Sequence, residues 1–201
     1  VQAAFAAMGR IFGMLEEEEE VAEKDPPETI ADVRGQVTFD HVQFGYDDNL
    51  LMKDVNISVQ PGQMVALVGP TGAGKTTLMN LLLRFYDVKG GSIKIDGVDI
   101  RDMKREDLRS LFSLVLQDTW LFNGTIYDNL RYGRLNARKD EVIEAAKTAN
   151  IHHYIRTLSH GYDTMINEEG NNISQGEKQL LTIARAILKY TQNLILDEAT
   201  T

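Results

Sequence analysis

The sequence Gly-Pro-Thr-Gly-Ala-Gly-Lys-Thr at residues 69–76 fits the pattern G-x-x-x-x-G-K-[S/T] of a phosphate-binding loop. The apolar run at 64–68 precedes it and predicts a strand buried on both faces, and the leucine-rich segment 76–85 follows with helical density. In a strand–loop–helix unit, the glycine-loop N–H groups and the helix N-terminus attract an anion. The stretch therefore predicts an α/β nucleoside-triphosphatase core in which Lys75 reaches the outer phosphates and Thr76 is a ligand of Mg²⁺.

A second strand is expected to supply the acids that this chemistry needs. The short strand predicted at 193–196 contains the apolar run 194–196 and is followed by Asp197 and Glu198, which places one acid beside the metal and the next beside the attacking water. A GTPase would also carry an Asn-Lys-x-Asp segment that reads guanine, and the sequence has none. The pattern therefore disfavours a GTPase.

The composition excludes several other classes of protein. The chain has 201 residues with 43% hydrophobic and 25% charged residues, the proportions of a folded globular domain. No segment reaches the roughly 18 apolar residues of a membrane span, and the absence of cysteine excludes disulfides and thiolate metal sites. The net charge of −9 argues against a nucleic-acid-binding face, so phosphate must be held locally.

The rest of the chain divides into segments of different periodicity. Residues 1–15 predict an amphipathic helix, and the prolines at 26 and 27 predict an extended linker. Alternation predicts antiparallel strands around 37–39 and 55–59, and a hairpin with a turn at Asp96-Gly97. The remaining elements are a mostly helical stretch at 125–188, Asp140 as the cap of a helix over 141–149, and a helix over 175–188.

Four further segments carry a resemblance to a known family. They are Phe44-Gly45-Tyr46, Leu116-Gln117-Asp118, the stretch 120–126 with Asn129, and Asn-Ile-Ser-Gln-Gly-Glu-Lys-Gln at 172–179. Together with the glycine loop they resemble the nucleotide-binding domain of an ATP-binding cassette (ABC) transporter of the exporter type. The resemblance spans nearly the whole chain and implies a P-loop core with an antiparallel β lobe and an inserted helical lobe.

The resemblance implies a role for each of these segments. Tyr46 stacks on adenine, Gln117 contacts the metal or the attacking water, and the stretch that contains Trp120 faces the transmembrane part. The last segment resembles the family's Leu-Ser-Gly-Gly-Gln signature, which donates to the γ-phosphate through Ser174 and Gly176. Gln175 and Glu177 depart from that pattern, and the negative charge of Glu177 is expected to weaken the attraction for ATP modestly.

The expected site residues follow from the loop and the resemblance together. The nucleotide-binding residues are Tyr46, Gly69, Thr71, Gly72, Ala73, Gly74, Lys75, Thr76, Thr77, Ser174, Gln175, Gly176 and Glu177. The catalytic residues are Glu198 as general base, Gln117 and Lys75, and the metal ligands are Thr76, Gln117 and Asp197. The expected ligands are ATP and Mg²⁺.

The resemblance also implies the assembly. The signature of one copy closes over the loop of another, so the expected partners are a second nucleotide-binding domain, identical or different, and a transmembrane domain of the same polypeptide, at the cytoplasmic face of the cell membrane. No nucleic acid is expected. Residues 1–20 would end a transmembrane-linked helix, 21–32 form a linker and 33–201 form the nucleotide-binding domain, with its helical lobe at about 118–188. The expected domain is C-terminally truncated and lacks the D-loop, the switch histidine and the closing strands.

Two alternatives to an ATP-hydrolysing exporter subunit remain open at this point. One is a nucleotide-gated dimerisation module with little hydrolysis, and the isolated 201-residue chain is expected to hydrolyse ATP weakly or not at all. The other is a soluble ABC ATPase of DNA repair or translation. The sequence does not indicate the transported substrate, because the membrane helices would select it.

Overall fold

The structure, a computed structural model, describes residues 2–16, 19–70, 72–115, 119–167, 172–189 and 193–196. Its β lobe contains four antiparallel strands in the order β2-β1-β3-β4. They are β1 (Val37–Phe44), β2 (Met52–Val59), β3 (Gly90–Ile95) and β4 (Val98–Asp99). The strands predicted from alternation are confirmed, as is the turn at Asp96-Gly97, although β4 ends one residue before Ile100.

Two helices pack on this sheet and close the first hydrophobic core. They are α2 (Lys75–Leu82) and α3 (Arg105–Ser110). Leu81 and Leu108 are fully buried in one cluster with Ile93 and Ile95 of β3. The sheet therefore fixes the helix that starts at Lys75.

The apolar run at 64–68 does not form the predicted strand. Residues 63–70 have no regular secondary structure, and Met64 and Val68 are 96% and 88% exposed. A strand buried on both faces needs neighbours in a sheet, and none of the strands in the described part of the chain pairs with this run. The expectation of a buried strand before the glycine loop is wrong for this structure.

A second core belongs to a helical lobe, which confirms the prediction for residues 125–188. Its elements are β6 (Gly124–Thr125), α4 (Ile126–Arg131), α5 (Lys139–Thr148), α6 (His152–Thr157), a 3₁₀ turn (Gly161–Asp163), β7 (Met165–Ile166) and α7 (Gln175–Leu188). Leu130, Val142, Ile155 and Leu181 lie at the centre of this core. The extent of α7 agrees with the helix predicted over 175–188.

The N-terminus of α5 differs from its prediction. Arg138, not Asp140, occupies the N-cap, and Asp140 lies in the first turn. The Glu141 carboxylate accepts the Arg138 backbone N–H at 2.8 Å, which starts the helix two residues earlier than expected. Asp140 instead pairs with the Arg138 guanidinium at 2.9 Å.

A short parallel pair of strands joins the two lobes. The strand β5 (Phe112–Val115) runs beside β8 (Asn193–Leu196), which confirms the strand predicted at 193–196. The Ser113 hydroxyl donates to the Ala186 carbonyl at 3.2 Å, and the Lys189 ammonium donates to the Phe112 carbonyl at 2.9 Å. Both bonds hold α7 of the helical lobe against β5.

The helix predicted at the start of the chain is present as α1 (Gln2–Leu15), with Met14 and Leu15 81% and 74% exposed. The residues that follow have no regular secondary structure up to β1 over the part that is described. In the described residues, no helix combines the length and the apolar character that a membrane crossing requires.

Candidate nucleotide-binding site

The glycine loop folds back on itself before α2. The Ala73 N–H donates to the Pro70 carbonyl at 3.1 Å, and Gly72 and Gly74 adopt φ of 85° and 90°. The left-handed backbone conformation favours glycine at this N-cap, and a Cβ there would displace the Met52 methyl, which lies 2.9 Å from its position. Thr71, one of the predicted contacts, lies outside the described residues.

Lys75, the first residue of α2, directs its ammonium onto the loop. Its Nζ donates to the Gly69 carbonyl at 2.6 Å and to the Pro70 carbonyl at 3.1 Å. Thr76 follows with an exposed side chain. A cation, an exposed hydroxyl and the first N–H groups of a helix are the donors that a phosphate group requires, and the hydroxyl also suits Mg²⁺, which prefers oxygen ligands. The residues present therefore fit a Mg²⁺-bound triphosphate.

Tyr46, the predicted adenine contact, lies next to this loop. Its hydroxyl is 3.0 Å from the hydroxyl of Thr77, a buried residue in the first turn of α2. The Tyr46 side chain is 59% exposed. The structure thus brings Tyr46, Lys75 and Thr77 together at one end of α2.

The strands β5 and β8 end side by side. Val115 and Leu196, their last residues, are partners in the parallel register. Gln117 follows the first strand and Asp197 and Glu198 follow the second. These three predicted metal and catalytic residues lie outside the described residues, so their roles remain predictions.

The signature segment forms the N-terminus of α7. Ser174 is the N-cap, its backbone N–H donates to the Glu177 carboxylate at 2.9 Å, and its hydroxyl donates to the same carboxylate oxygen. Glu177 therefore engages the hydroxyl that was expected to face the γ-phosphate. Gln175 donates to the Thr119 hydroxyl at 3.3 Å, and Gly176 is exposed with open space where a Cβ would be.

Three aromatic side chains form a strip on the helical lobe. Trp120 is 62% exposed, and its ring centroid lies 6.0 Å from that of Phe122, which in turn lies 5.6 Å from Tyr132. Leu121 between them is buried. The stretch predicted to face a partner is therefore divided, since Trp120 points to solvent and Leu121 belongs to the core.

Asn129 is part of the interior rather than of that surface. Its side chain is fully buried and is bonded to Phe122, Thr125 and Arg185. The resemblance had grouped it with the partner-facing stretch, and the structure shows that it supports this stretch from behind.

Comparison with known proteins decides the family. The model of the ABC transporter family matches residues 52–201, which is most of the chain and includes the glycine loop and the signature segment. The chain belongs to the ABC transporter family. This is a family of ATPases that bind and hydrolyse ATP, and the β lobe, helical lobe and glycine loop described above are those of the ABC ATPase fold.

Several ABC transporters are similar over almost the whole chain. The fatty acid ABC transporter ATP-binding/permease protein of Mycobacterium tuberculosis is 49% identical over 201 residues, which cover 100% of this chain and 32% of that protein. The human ATP-binding cassette sub-family B member 6 is 46% identical over 201 residues, 100% of this chain and 24% of its own length. The chain spans about a third or less of the length of these relatives.

A solved structure of a bacterial Atm1-family ABC exporter with ATP bound has a TM-score of 0.83 to this chain. The two are 42% identical, and the match covers 99% of this chain and 35% of the exporter chain. The exporter type of ABC transporter, which the four segments and the glycine loop resemble, is thus also the type of the similar solved structure.

Two residues of this ABC transporter chain have contacts that were not predicted from the sequence. Tyr86, one residue beyond the segment predicted as a helix, lies 5.2 Å from Tyr46 between ring centroids. Arg185 donates to the carbonyls of Asn129 at 2.8 Å and Trp120 at 3.1 Å, and burial lowers its pKa. Motif spacing gives no signal for either contact, because both join segments that are far apart in sequence.

Proposed function

We propose that this chain is the ATP-hydrolysing domain that powers export of a substrate across a membrane. The observation that carries the proposal is the glycine loop that closes onto the start of α2 with the Lys75 ammonium above it. The mycobacterial relative named above is an ATP-binding/permease protein, and the similar solved structure is an exporter. Both support a transport role for the domain in its complete protein.

The proposed nucleotide contacts follow from the charges and rings around the loop. Lys75 and the N–H groups at the start of α2 stabilise negative charge on the phosphates, and the open part of the Tyr46 ring stacks on adenine. Thr76, Gln117 and Asp197 would hold Mg²⁺, which when bound neutralises charge on the phosphate oxygens. Glu198 acts as the general base that takes a proton from the attacking water.

The complete site is proposed to need a second nucleotide-binding domain. Ser174 and Gly176 are exposed at the N-terminus of the 14-residue helix α7, where the helix dipole favours an anion. In a head-to-tail pair, this end of one copy would cover the phosphates bound at Lys75 of the other. ATP would then bridge the two copies, and its hydrolysis would release them.

A transmembrane domain of the same polypeptide is the second proposed partner, at the cytoplasmic face of the cell membrane. The exposed ring of Trp120, continued by Phe122 and Tyr132, provides an apolar surface for it. The helix α1, with its exposed apolar side chains at 8, 11, 12, 14 and 15, is proposed to continue from the membrane helices.

The central test is Glu198→Gln in the complete protein. The variant keeps the size of the side chain and removes the base, so we expect ATP binding to persist, turnover to stop and an ATP-bound dimer to accumulate. Binding is measured by calorimetry, turnover by phosphate release and the dimer by light scattering. Normal turnover in this variant would refute the role of Glu198. A wild-type protein that dimerises with ATP without turnover would favour the dimerisation module.

The loop is tested separately with Lys75→Ala. Loss of a charged hydrogen bond to phosphate costs about 1.5–3 kcal/mol, which corresponds to a roughly ten- to hundred-fold weaker affinity for ATP. Lys139→Ala is the matched control, since it removes the same charge from an exposed position on α5. Equal affinities in both variants would contradict phosphate binding at Lys75.

A further inference from the structure

A cluster of three aromatic rings surrounds the predicted adenine contact. Phe44, the last residue of β1, is buried, and its ring centroid lies 5.1 Å from that of Tyr46 at an interplanar angle of 82°. Tyr86 lies 5.2 Å from Tyr46 at 87°, and 5.7 Å from Phe44 at 51°. Both neighbours therefore stand nearly perpendicular to the Tyr46 ring, the arrangement that the charge distribution of aromatic rings favours.

The backbone alone does not fix the position of Tyr46. The residue follows the end of β1 and is the first of four bend residues at 46–49, so no strand pairing holds it. Its hydroxyl is anchored at Thr77, which fixes one end of the ring. This hydrogen bond alone leaves the ring free to rotate about the axis through its hydroxyl. The rings of Phe44 and Tyr86 restrict that rotation.

Tyr86 itself is placed by a different part of the fold. It follows α2 and the turn in which the Phe85 N–H donates to the Asn80 carbonyl at 2.8 Å. The neighbouring Arg84 is buried, and its guanidinium donates to the Asp87 carboxylate at 2.9 Å and to the carbonyls of Arg101 and Met103. Tyr86 thus extends from a rigid turn, while 45% of its own side chain remains exposed.

We infer that Tyr86 is a positioning residue for base recognition, since its ring holds the Tyr46 ring in the plane that stacks on the purine of the nucleotide. The inference rests on the proposed function, in which Tyr46 is the base contact. Tyr86 acts on the base and leaves the phosphates unaffected, because its ring contacts Tyr46 and Phe44 and the loop ligands belong to residues 69–77. An edge-to-face contact of this kind is worth a roughly two- to ten-fold change in affinity.

The test compares two ligands in the complete protein. MgATP has a base and Mg-tripolyphosphate has none, so the ratio of their dissociation constants isolates the contribution of the base. We expect Tyr86→Leu to weaken MgATP binding by about two- to ten-fold while Mg-tripolyphosphate binding stays unchanged. Tyr86→Phe keeps the ring and should bind both ligands as the wild type does.

A double-mutant cycle links the effect to Tyr46. Tyr46→Ala removes the platform, so adding Tyr86→Leu to it should cause no further loss of MgATP affinity. If Tyr46→Ala leaves MgATP binding unchanged, the proposed base contact itself fails. If Tyr46→Ala weakens binding and Tyr86→Leu does not, the positioning role alone is refuted.

Two other outcomes would also refute the positioning role. One is an equal loss of MgATP and Mg-tripolyphosphate affinity in a folded Tyr86→Leu protein, which would place its effect on the loop. The other is a Tyr86→Phe variant as weak as the leucine variant, which would assign the effect to the hydroxyl. Circular dichroism establishes folding, and Tyr86→Met serves for the same comparison if the leucine variant does not fold.

Discussion

Asn129 is the residue on which the surface of the helical lobe depends. Its Oδ1 accepts from the Phe122 N–H at 3.1 Å and from Arg185 at 3.0 Å, and its Nδ2 donates to the carbonyls of Phe122 at 2.9 Å and Thr125 at 3.1 Å. One buried amide therefore satisfies hydrogen-bonding groups of the loop that contains Phe122 and of the helix α7 that contains Arg185. Aspartate would lose both donated bonds, so the position requires asparagine.

We predict that Asn129→Ala lowers the free energy of unfolding by about 2–4 kcal/mol, because it leaves several buried polar groups unpaired. Denaturant unfolding followed by circular dichroism measures this loss. Asn123→Ala removes an exposed amide from the same loop and should change stability by less than about 0.5 kcal/mol. Similar losses in both variants would show that the buried network does not stabilise the lobe.

Glu177 is the second residue whose role the structure changes. It closes a capping box with Ser174, in which the Glu177 N–H faces the Ser174 hydroxyl at 3.4 Å and the carboxylate accepts the Ser174 N–H. The carboxylate also lies near Tyr154, whose pKa is raised by burial and by the charge of Glu177. The departure from the family's glutamine thus has a local structural function in starting α7.

We predict that Glu177→Ala destabilises α7 by about 0.5–2 kcal/mol, whereas Glu177→Gln, whose amide oxygen still accepts the Ser174 N–H, has a much smaller effect. Thermal unfolding of the two variants gives the comparison. Equal losses for alanine and glutamine would show that the charge, and not the reciprocal bond, is what α7 requires.

At the scale of elements, the sequence predicted those whose burial is decided locally. β1 and β3 alternate between core and exterior, and α7 carries a continuous apolar face, so their own patterns suffice. The run at 64–68 shows the limit of this reasoning, because burial on both faces depends on neighbouring strands that the run itself does not specify.

The candidate site likewise contains residues that the sequence predicted and contacts that it did not predict. The glycine loop was found by spacing, since adjacent residues act together there, and Ser174 was found through the resemblance of its segment to the family signature. The contact of Tyr86 with Tyr46 joins residues that are far apart in sequence, and it arises only when α2 packs on the sheet. Such tertiary contacts have no signature in a single sequence.

The segment between α1 and β1 is tied to the β lobe by ion pairs. The Arg105 guanidinium, on a side chain only 12% exposed, lies 3.5 Å from Glu20 and 3.8 Å from Glu23, and donates to the Val21 carbonyl at 2.9 Å. The Lys24 ammonium forms an ion pair with the Asp102 carboxylate at 3.0 Å. Arg105 is the first residue of α3, and α3 leads into β5 and then to Gln117. The segment between α1 and β1 therefore contacts the helix that precedes β5 and this predicted site residue.

We predict that Arg105→Ala releases this segment from the lobe. Amide hydrogen exchange of residues 19–28 should become faster, because the guanidinium bridges the two parts, and high salt should have a smaller effect of the same sign. Arg131→Ala, from an exposed position on α4, is the control. Unchanged exchange in the Arg105 variant would mean that the ion pairs do not hold the segment.

At the scale of the molecule, the described residues form two hydrophobic cores, and the predicted parts of the site that can be placed are divided between them. Lys75 belongs to the helix packed on the β lobe core, which includes Ile93, and Ser174 begins the helix packed in the helical core, which includes Leu181. The cores meet where α7 lies against β5. Each lobe can therefore lose stability without direct damage to the packing of the other.

We predict that Ile93→Ala and Leu181→Ala, each fully or almost fully buried, cost about 2–5 kcal/mol apiece. Because the two side chains share no core, their effects should add to within about 0.5 kcal/mol in the double variant. Native-state hydrogen exchange of the complete protein should show faster exchange around β1 and β3 in the first variant and around α4, α5 and α7 in the second. Leu135→Ala, at a site 70% exposed, is the surface control. Loss of protection across both lobes in each single variant would show that the two lobes unfold as one cooperative unit. Nucleotide binding at Lys75 would then depend on the packing around Leu181 as strongly as on the core of the β lobe.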